Sequence, residues 1–147
     1  MLLPFQTGTT AGVLTFKAQI GEFSDQQSVT IAAVPPGISA MQGIRSGTGL
    51  EIRITGFDNT RSLGSLTFTF YDAAGNTITP GAVRADVEKD FASYFANSGF
   101  GGAFLLRAVF PVNGDASGMV SCQATLTNAA GTATTQRAGR LVLDEVT

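Results

Sequence analysis

Histidine is absent from the 147 residues, and cysteine occurs once, as Cys122. A catalytic thiol or hydroxyl needs a base beside it, and imidazole is the usual one. A lone cysteine closes no internal disulfide. Cys122 lies in the alternating run Val120–Leu126, on the same side as Ala124 and Leu126, where a small buried hydrophobe is the simpler reading. Charge is also scarce. Charged residues make up 14% of the chain, against about 25% in ordinary domains. Net charge is −2, which argues against a nucleic-acid partner, because phosphate binding needs a basic face. It gives no polybasic signal for a membrane surface either. No apolar run approaches the roughly 18 residues of a spanning helix, so membrane insertion is not expected.

What is present is alternation. Leu50, Ile52 and Ile54 point one way, and Glu51, Arg53 and Thr55 the other. After the polar corner Gly56–Arg61, Leu66, Phe68 and Phe70 repeat the pattern against Thr67, Thr69 and Tyr71. Period two with β-branched and aromatic residues marks strands with one dry face. One sheet cannot hide that face, so a second layer covers it. Asp72–Asn76 reads as a hairpin turn, Thr77–Thr79 as a short return strand and Pro80-Gly81 as a further turn. Phe104, Leu106, Ala108 and Phe110 alternate in the next strand. Val120, Cys122, Ala124 and Leu126 alternate in another. Thr132–Gln136 continues as a polar edge strand, and Leu141–Leu143 is a short apolar end. Residues 38–47 form a weakly patterned first strand through Ile38, Ala40 and Ile44.

One segment breaks the rule. Val87, Phe91, Tyr94 and Phe95 recur at helical spacing, so one short helix is expected near 89–96. Asp86 or Glu88 favours its start through the helix dipole. Asn97-Ser98-Gly99 supplies a stop. The fold class is therefore all-β: a sandwich of about seven strands, with that helix plugging one end.

Residues 1–36 stand apart from the sandwich domain at 37–147. Leu14, Phe16, Ala18 and Ile20 alternate in one strand, and Val29, Ile31 and Ala33 in a second, giving a β-hairpin. Pro35-Pro36 closes it, since consecutive prolines cannot donate to a ladder. An isolated hairpin is marginal in water. Leu14, Phe16, Ile20, Val29 and Ile31 are thus candidate assembly residues. Strand addition to a second copy would cover them.

Other candidate sites have simpler readings. Asp58, Asn59, Asp72 and Asn76 carry oxygens suited to calcium but lack a recognised ligand spacing, and Asx residues in turns usually cap their own backbone. Asp86, Glu88 and Asp90 are close in sequence, as paired glycosidase carboxylates are not required to be, and read as a solvated helix start. Tyr71, Tyr94, Phe95 and Phe100 are candidates for an aromatic platform for glycans, with Phe91 and Phe95 in the core and Tyr94 outside. The glycines of Gly99–Gly102 lack the strand–loop–helix context of a phosphate loop. No catalytic residue, metal or cofactor is expected.

Several stretches taken in order carry a family resemblance. They are Gly56-Phe57-Asp58-Asn59-Thr60-Arg61, Leu66–Phe70, Phe91-Ala92-Ser93-Tyr94-Phe95, Phe100–Phe104, Phe110–Asp115 and Ala124–Thr132. Over about residues 37–138 the chain resembles a bacterial immunoglobulin-like module from the C-terminal region of secreted multi-domain proteins. Residues 7–36 look like the last strands and proline linker of a preceding domain of that kind. The resemblance implies an immunoglobulin-like Greek-key sandwich, extracellular or cell-surface placement, and a structural or adhesive role without catalysis. Met1–Phe5 lacks the basic and long apolar regions of a signal peptide, so an export signal, if used, lies outside this chain. Two further readings remain open: a subunit of a filament or oligomer joined through residues 1–34, and a carbohydrate-binding module. Expected partners are proteins, through self-association or neighbouring domains, or a glycan.

Overall fold

In the computed structural model, residues 4–46, 49–99, 101–113, 116–135 and 142–143 are described. Ten strands and one α-helix occur among them. Strands β1 (Gly12–Ile20) and β2 (Phe23–Ile31) form the N-terminal hairpin, in register over nine residue pairs from Gly12–Ile31 to Ile20–Phe23. The rest is built from β3 (Gly37–Ser46), β4 (Gly49–Phe57), β5 (Ser65–Tyr71), β6 (Thr77–Asp86), α1 (Glu88–Asn97), β7 (Ala103–Pro111), β8 (Ser121–Asn128), β9 (Gly131–Thr134) and β10 (Val142–Leu143). They make two four-stranded sheets, ordered β10-β3-β4-β7 and β6-β5-β8-β9. Every pairing is antiparallel except β10 with β3.

The core lies where the alternation puts it. Leu50, Ile52 and Ile54 of β4 and Phe104 of β7 come from one sheet. Leu66, Phe68 and Phe70 of β5 and Cys122, Ala124 and Leu126 of β8 come from the other. Phe110 sets its ring edge against Phe68 and Phe70, with centroids 5.1 and 5.3 Å apart. Helix α1 closes one end by inserting Phe91 and Phe95, and Phe91 meets Phe104 edge-on at 5.3 Å. Edge-to-face pairs at this spacing add to the gain from burial. On the outer face of the β5–β8–β9 sheet, threonines replace apolar residues. The hydroxyls of Thr125 and Thr134, and of Thr127 and Thr132, pair across the strands at 3.0 and 2.9 Å.

Three expectations change. First, the two sheets hold eight strands among the described residues, rather than about seven for the whole sandwich. Second, the Ile38–Ala40–Ile44 pattern holds only at Ile38, which packs on the core. A bulge between Ile38 and Ala40 shifts the register, so that Met41, Gly43 and Arg45 lie opposite Ile54, Ile52 and Leu50, while Ala40 and Ile44 lie opposite the outward Thr55 and Glu51. An extra residue at a bulge flips every later side chain to the other face. Third, Pro80-Gly81 does not turn the chain. Strand β6 runs through it, with a cis peptide at Thr79–Pro80 and a register shift opposite Phe70. As the sheet's outer strand, β6 leaves one side free of ladder donors, where proline is tolerated. Helix α1 stops where Asn97-Ser98-Gly99 is expected to end it, through Ser98 in extended conformation, whose N–H reaches the Phe95 carbonyl. Residues 47–48 and 114–115, with Gln136 and Leu141, lie outside the described residues.

The fold separates costly positions from cheap ones. Truncating Phe68→Ala in the sandwich core should cost about 3–5 kcal/mol. Phe23→Ala at the exposed hairpin tip should stay within about 0.5 kcal/mol. Urea unfolding of both variants against the parent chain tests the contrast.

Candidate functional site

Three polar side chains are buried among the described residues: Asp58, Asn59 and Asn128. All three sit at one end of the sandwich, after β4 and at the end of β8. A buried carboxylate is costly unless hydrogen bonds replace its water. Asp58 Oδ1 accepts from the Thr60 amide at 3.0 Å, the Thr60 hydroxyl at 2.7 Å and Asn128 Nδ2 at 2.8 Å. Asp58 Oδ2 accepts from the Ser62 amide at 2.9 Å. The Asp58 backbone is pinned as well, its N–H donating to the Gly102 carbonyl at 2.8 Å. A side chain at position 102 would run into the Asp58 carbonyl, so this crossing requires glycine.

The neighbours of Asp58 reach the hairpin. Asn59 Nδ2 donates to the Ala32 carbonyl at 2.8 Å, and its Oδ1 accepts from the Val34 amide at 3.1 Å. One side-chain amide thus pairs with the backbone just after β2. The Asn59 carbonyl accepts from the Ala11 amide at 2.8 Å, just before β1. Asn128 Nδ2 donates to the Val34 carbonyl at 2.9 Å, and its Oδ1 accepts from the Ala130 and Gly131 amides at 2.9 and 3.0 Å. Both feet of the hairpin are therefore bonded to the sandwich. Pro36 is buried, and Pro35 packs so closely on the β8–β9 turn that a Cβ on Gly131 would approach it to 3.1 Å.

Beyond its feet the hairpin is bare. Leu14, Phe16, Ile20, Val29 and Ile31 share one face by the β1–β2 register, together with Phe23. Phe16 and Ile31 are half-buried, Phe16 beneath the ring of Phe5 at 3.8 Å between centroids. Ile20 and Phe23 at the tip are 77% and 84% exposed. Sequence reasoning passed over Phe23, although its place directly opposite Ile20 across the turn was the available signal.

The remaining candidates disperse. Asp72 is not near Asp58; it accepts from the Ala74 and Asn76 amides of its own turn, both at 2.9 Å. Those bonds, led by the one from Asn76, hold its carboxyl below the usual value. Asp58 is filled by protein donors. Among the described residues no group of three or more acidic or cysteine side chains is arranged for a metal ion. Asp86, Glu88 and Asp90 are exposed around the start of α1, where Asp86 Oδ1 accepts from the Glu88 amide at 3.1 Å. Tyr71 and Phe95 are buried, so they form no platform with Tyr94, which is exposed and bonded to the Ala103 carbonyl at 3.2 Å. Phe100 lies outside the described residues. Arg61 folds back over the Phe95 ring at 5.6 Å and donates to the Phe95 carbonyl. The opposite end of the sandwich holds an apolar recess of about 340 Å³ between Leu50, Phe70, Ile78, Val83, Phe110 and Met119. No helix among the described residues is long and apolar enough to cross a membrane.

On the outer face of the β3–β4–β7 sheet, one carboxylate serves two guanidinium groups. Glu51 Oε2 accepts from Arg107 at 2.7 Å, and Oε1 from Arg53 at 2.5 Å. The bond from Arg107, then that from Arg53, brings the Glu51 carboxyl from 4.5 down to about 2. Arg107 stands between Leu105 and Val109, which are 64% and 58% exposed.

Two titrating groups give measurable outcomes. Glu51 binds its proton more weakly folded than unfolded, so its stabilisation is complete above about pH 4.5 and is lost as pH falls toward 2. Glu51→Gln should therefore flatten the loss of stability across that window; identical slopes in urea titrations at stepped pH would remove Glu51 from the acid limb. Burial pushes the Cys122 thiol up to about 12. A thiol reagent at pH 8 should leave Cys122 unmodified in the folded chain and label it fully in urea.

No protein-family model matches this chain, and neither a curated protein nor a solved structure matches it.

Proposed function

We propose that this chain is a non-enzymatic structural module of a bacterial surface protein: an immunoglobulin-like sandwich that carries a rigidly held β-hairpin. The observation that supports it best is the use of the buried polar groups. Asp58, Asn59 and Asn128 spend their hydrogen-bonding capacity on one another, on local backbone and on the hairpin feet. An active site leaves such groups free to meet a substrate; a joint saturates them.

The immunoglobulin-like assignment draws support from strand order. Strands β3, β4 and β7 stand in the places of A, B and E in such folds, and β5, β8 and β9 in those of C, F and G. Strand β6 then flanks C. Extracellular or cell-surface placement and an adhesive or spacer role rest on the sequence resemblance. A second reading, a subunit of an oligomer or filament, is favoured by the exposed face of Leu14, Ile20, Phe23 and Val29. Since β1 and β2 already satisfy each other over nine pairs, the hairpin would serve as a whole unit and not as separate exchanged strands.

The rigid joint is open to test by ¹⁵N relaxation on the full chain. Hairpin amides should tumble with the sandwich in the parent protein and separate from it in Asn59→Ala. Asn128→Ala should also lower global stability by about 3 kcal/mol, because it removes a donor from buried Asp58. Independent hairpin tumbling in the parent protein would sink the joint.

A further inference from the structure

The exposed hairpin face has a counterpart elsewhere on the same molecule. By register, the hairpin presents successive cross-strand rows: Ile20 with Phe23, Ala18 with Asp25, Phe16 with Gln27, Leu14 with Val29. Asp25 is exposed and is the one charged side chain in these rows. Lys17 belongs to the opposite face, with Thr15 and Gln19. The outer face of the β3–β4–β7 sheet is also built in rows: Leu105 with Thr55, Arg107 with Arg53, Val109 with Glu51. Rows two residues apart are about 6.6 Å from one another on either surface. Along each, an apolar side chain, a charged row and a further apolar side chain follow in that order, with Thr55 and Glu51 completing the outer two rows of the sheet.

The charges are opposite. Arg53 and Arg107 share the single carboxylate of Glu51, which leaves one positive charge unbalanced among the three. Arg107 is 64% exposed along its side chain, so its guanidinium is available to a second acceptor. Strand β7 ends its sheet among the described residues, and helix α1 borders it, with Asp90 and Tyr94 lining a recess beside Leu105 and Arg107.

We propose that the hairpin of one copy packs its apolar face on the β4–β7 outer face of a second copy. Asp25 then meets Arg107, with Phe23 over Leu105 on one side and the Phe5–Phe16 ring pair toward Val109 on the other. The inference rests on the second reading above, in which the hairpin is a unit of assembly, and adds the surface that receives it. Donor and acceptor are different surfaces of one chain, so the contact is head-to-tail and propagates unless a ring closes. Face-to-face sheet packing of this kind interdigitates the rows. The charge pair sets the register.

Sedimentation of the full chain over a wide concentration range, at low and moderate salt, tests this. The parent protein should show mass rising above monomer with concentration. Asp25→Arg and Arg107→Asp should each weaken association by about tenfold or more, since each places like charges opposite one another. An equimolar mixture of the two variants should regain association, because each supplies the complement of the other. Phe23→Ser, at a position with no part in the folded core, should weaken it likewise. Circular dichroism melts confirm that the variants stay folded. A parent chain that is monomeric at all concentrations overturns the proposal together with the assembly reading. Association that is indifferent to Arg107→Asp overturns this acceptor surface and leaves assembly by another contact, such as hairpin on hairpin, standing.

Discussion

The carboxylate of Asp58 is the constraint on which the two parts of this chain depend. It is fully buried, and a buried charge persists only where donors replace its solvent. The corner Asp58–Ser62 supplies three of them through Thr60 and Ser62. The fourth comes from Asn128, 70 residues further on, which ties the end of β4 to the end of β8 and so ties one sheet to the other. The same Asn128 amide nitrogen also holds the Val34 carbonyl. Satisfying one carboxylate therefore fixes the relation of the sheets and the direction in which the hairpin leaves them.

Much of the sandwich is legible from the residues because its signals are local. Alternation in Leu50–Ile54, Leu66–Phe70 and Cys122–Leu126 follows from the pleat itself, and the burial of each strand repeats it. The helix is legible for the same reason: Val87, Phe91 and Phe95 share one helical side, and Phe91 and Phe95 are buried. Strand β3 is harder to read. Its bulge at Ile38–Ala40 is a property of its pairing with β4, and the later residues change face without any local mark. Pro80-Gly81 misleads in the other direction. Locally the pair signals a turn, yet Ala82–Ala85 continue to pair with β5, and that ladder outweighs the local preference.

The joint was only half visible. Asp58 and Asn59 are recognisable as a corner, and turn Asx residues commonly cap their own backbone. Asp72 does that, with the Asn76 side chain as a further donor from the same turn. Asp58 caps its turn and also recruits Asn128; Asn59 recruits the hairpin. Nothing in the spacing separates these cases, because the distinction is burial, and burial is decided by which strands pack above the turn. The prolines at 35 and 36 read as a boundary in sequence. In the fold they are docked material, with Pro36 buried against the sandwich.

Two features of the hairpin pull against each other. Its feet are bonded at four points to the sandwich, which removes the freedom a linker would have. Its tip keeps Ile20 and Phe23 in water, which a freely moving hairpin would relieve by folding back. Rigid presentation of an apolar surface is unfavourable for the isolated chain, and it lowers the entropic cost of docking that surface on something else. The polar joint and the bare face are thus parts of one arrangement: Asp58 and its neighbours hold open what Phe5 only partly covers. The second copy proposed to cover it would present apolar side chains flanking a positive charge, to match Phe23, Asp25 and Phe16. The outer face of β7, with Leu105, Arg107 and Val109, has that composition.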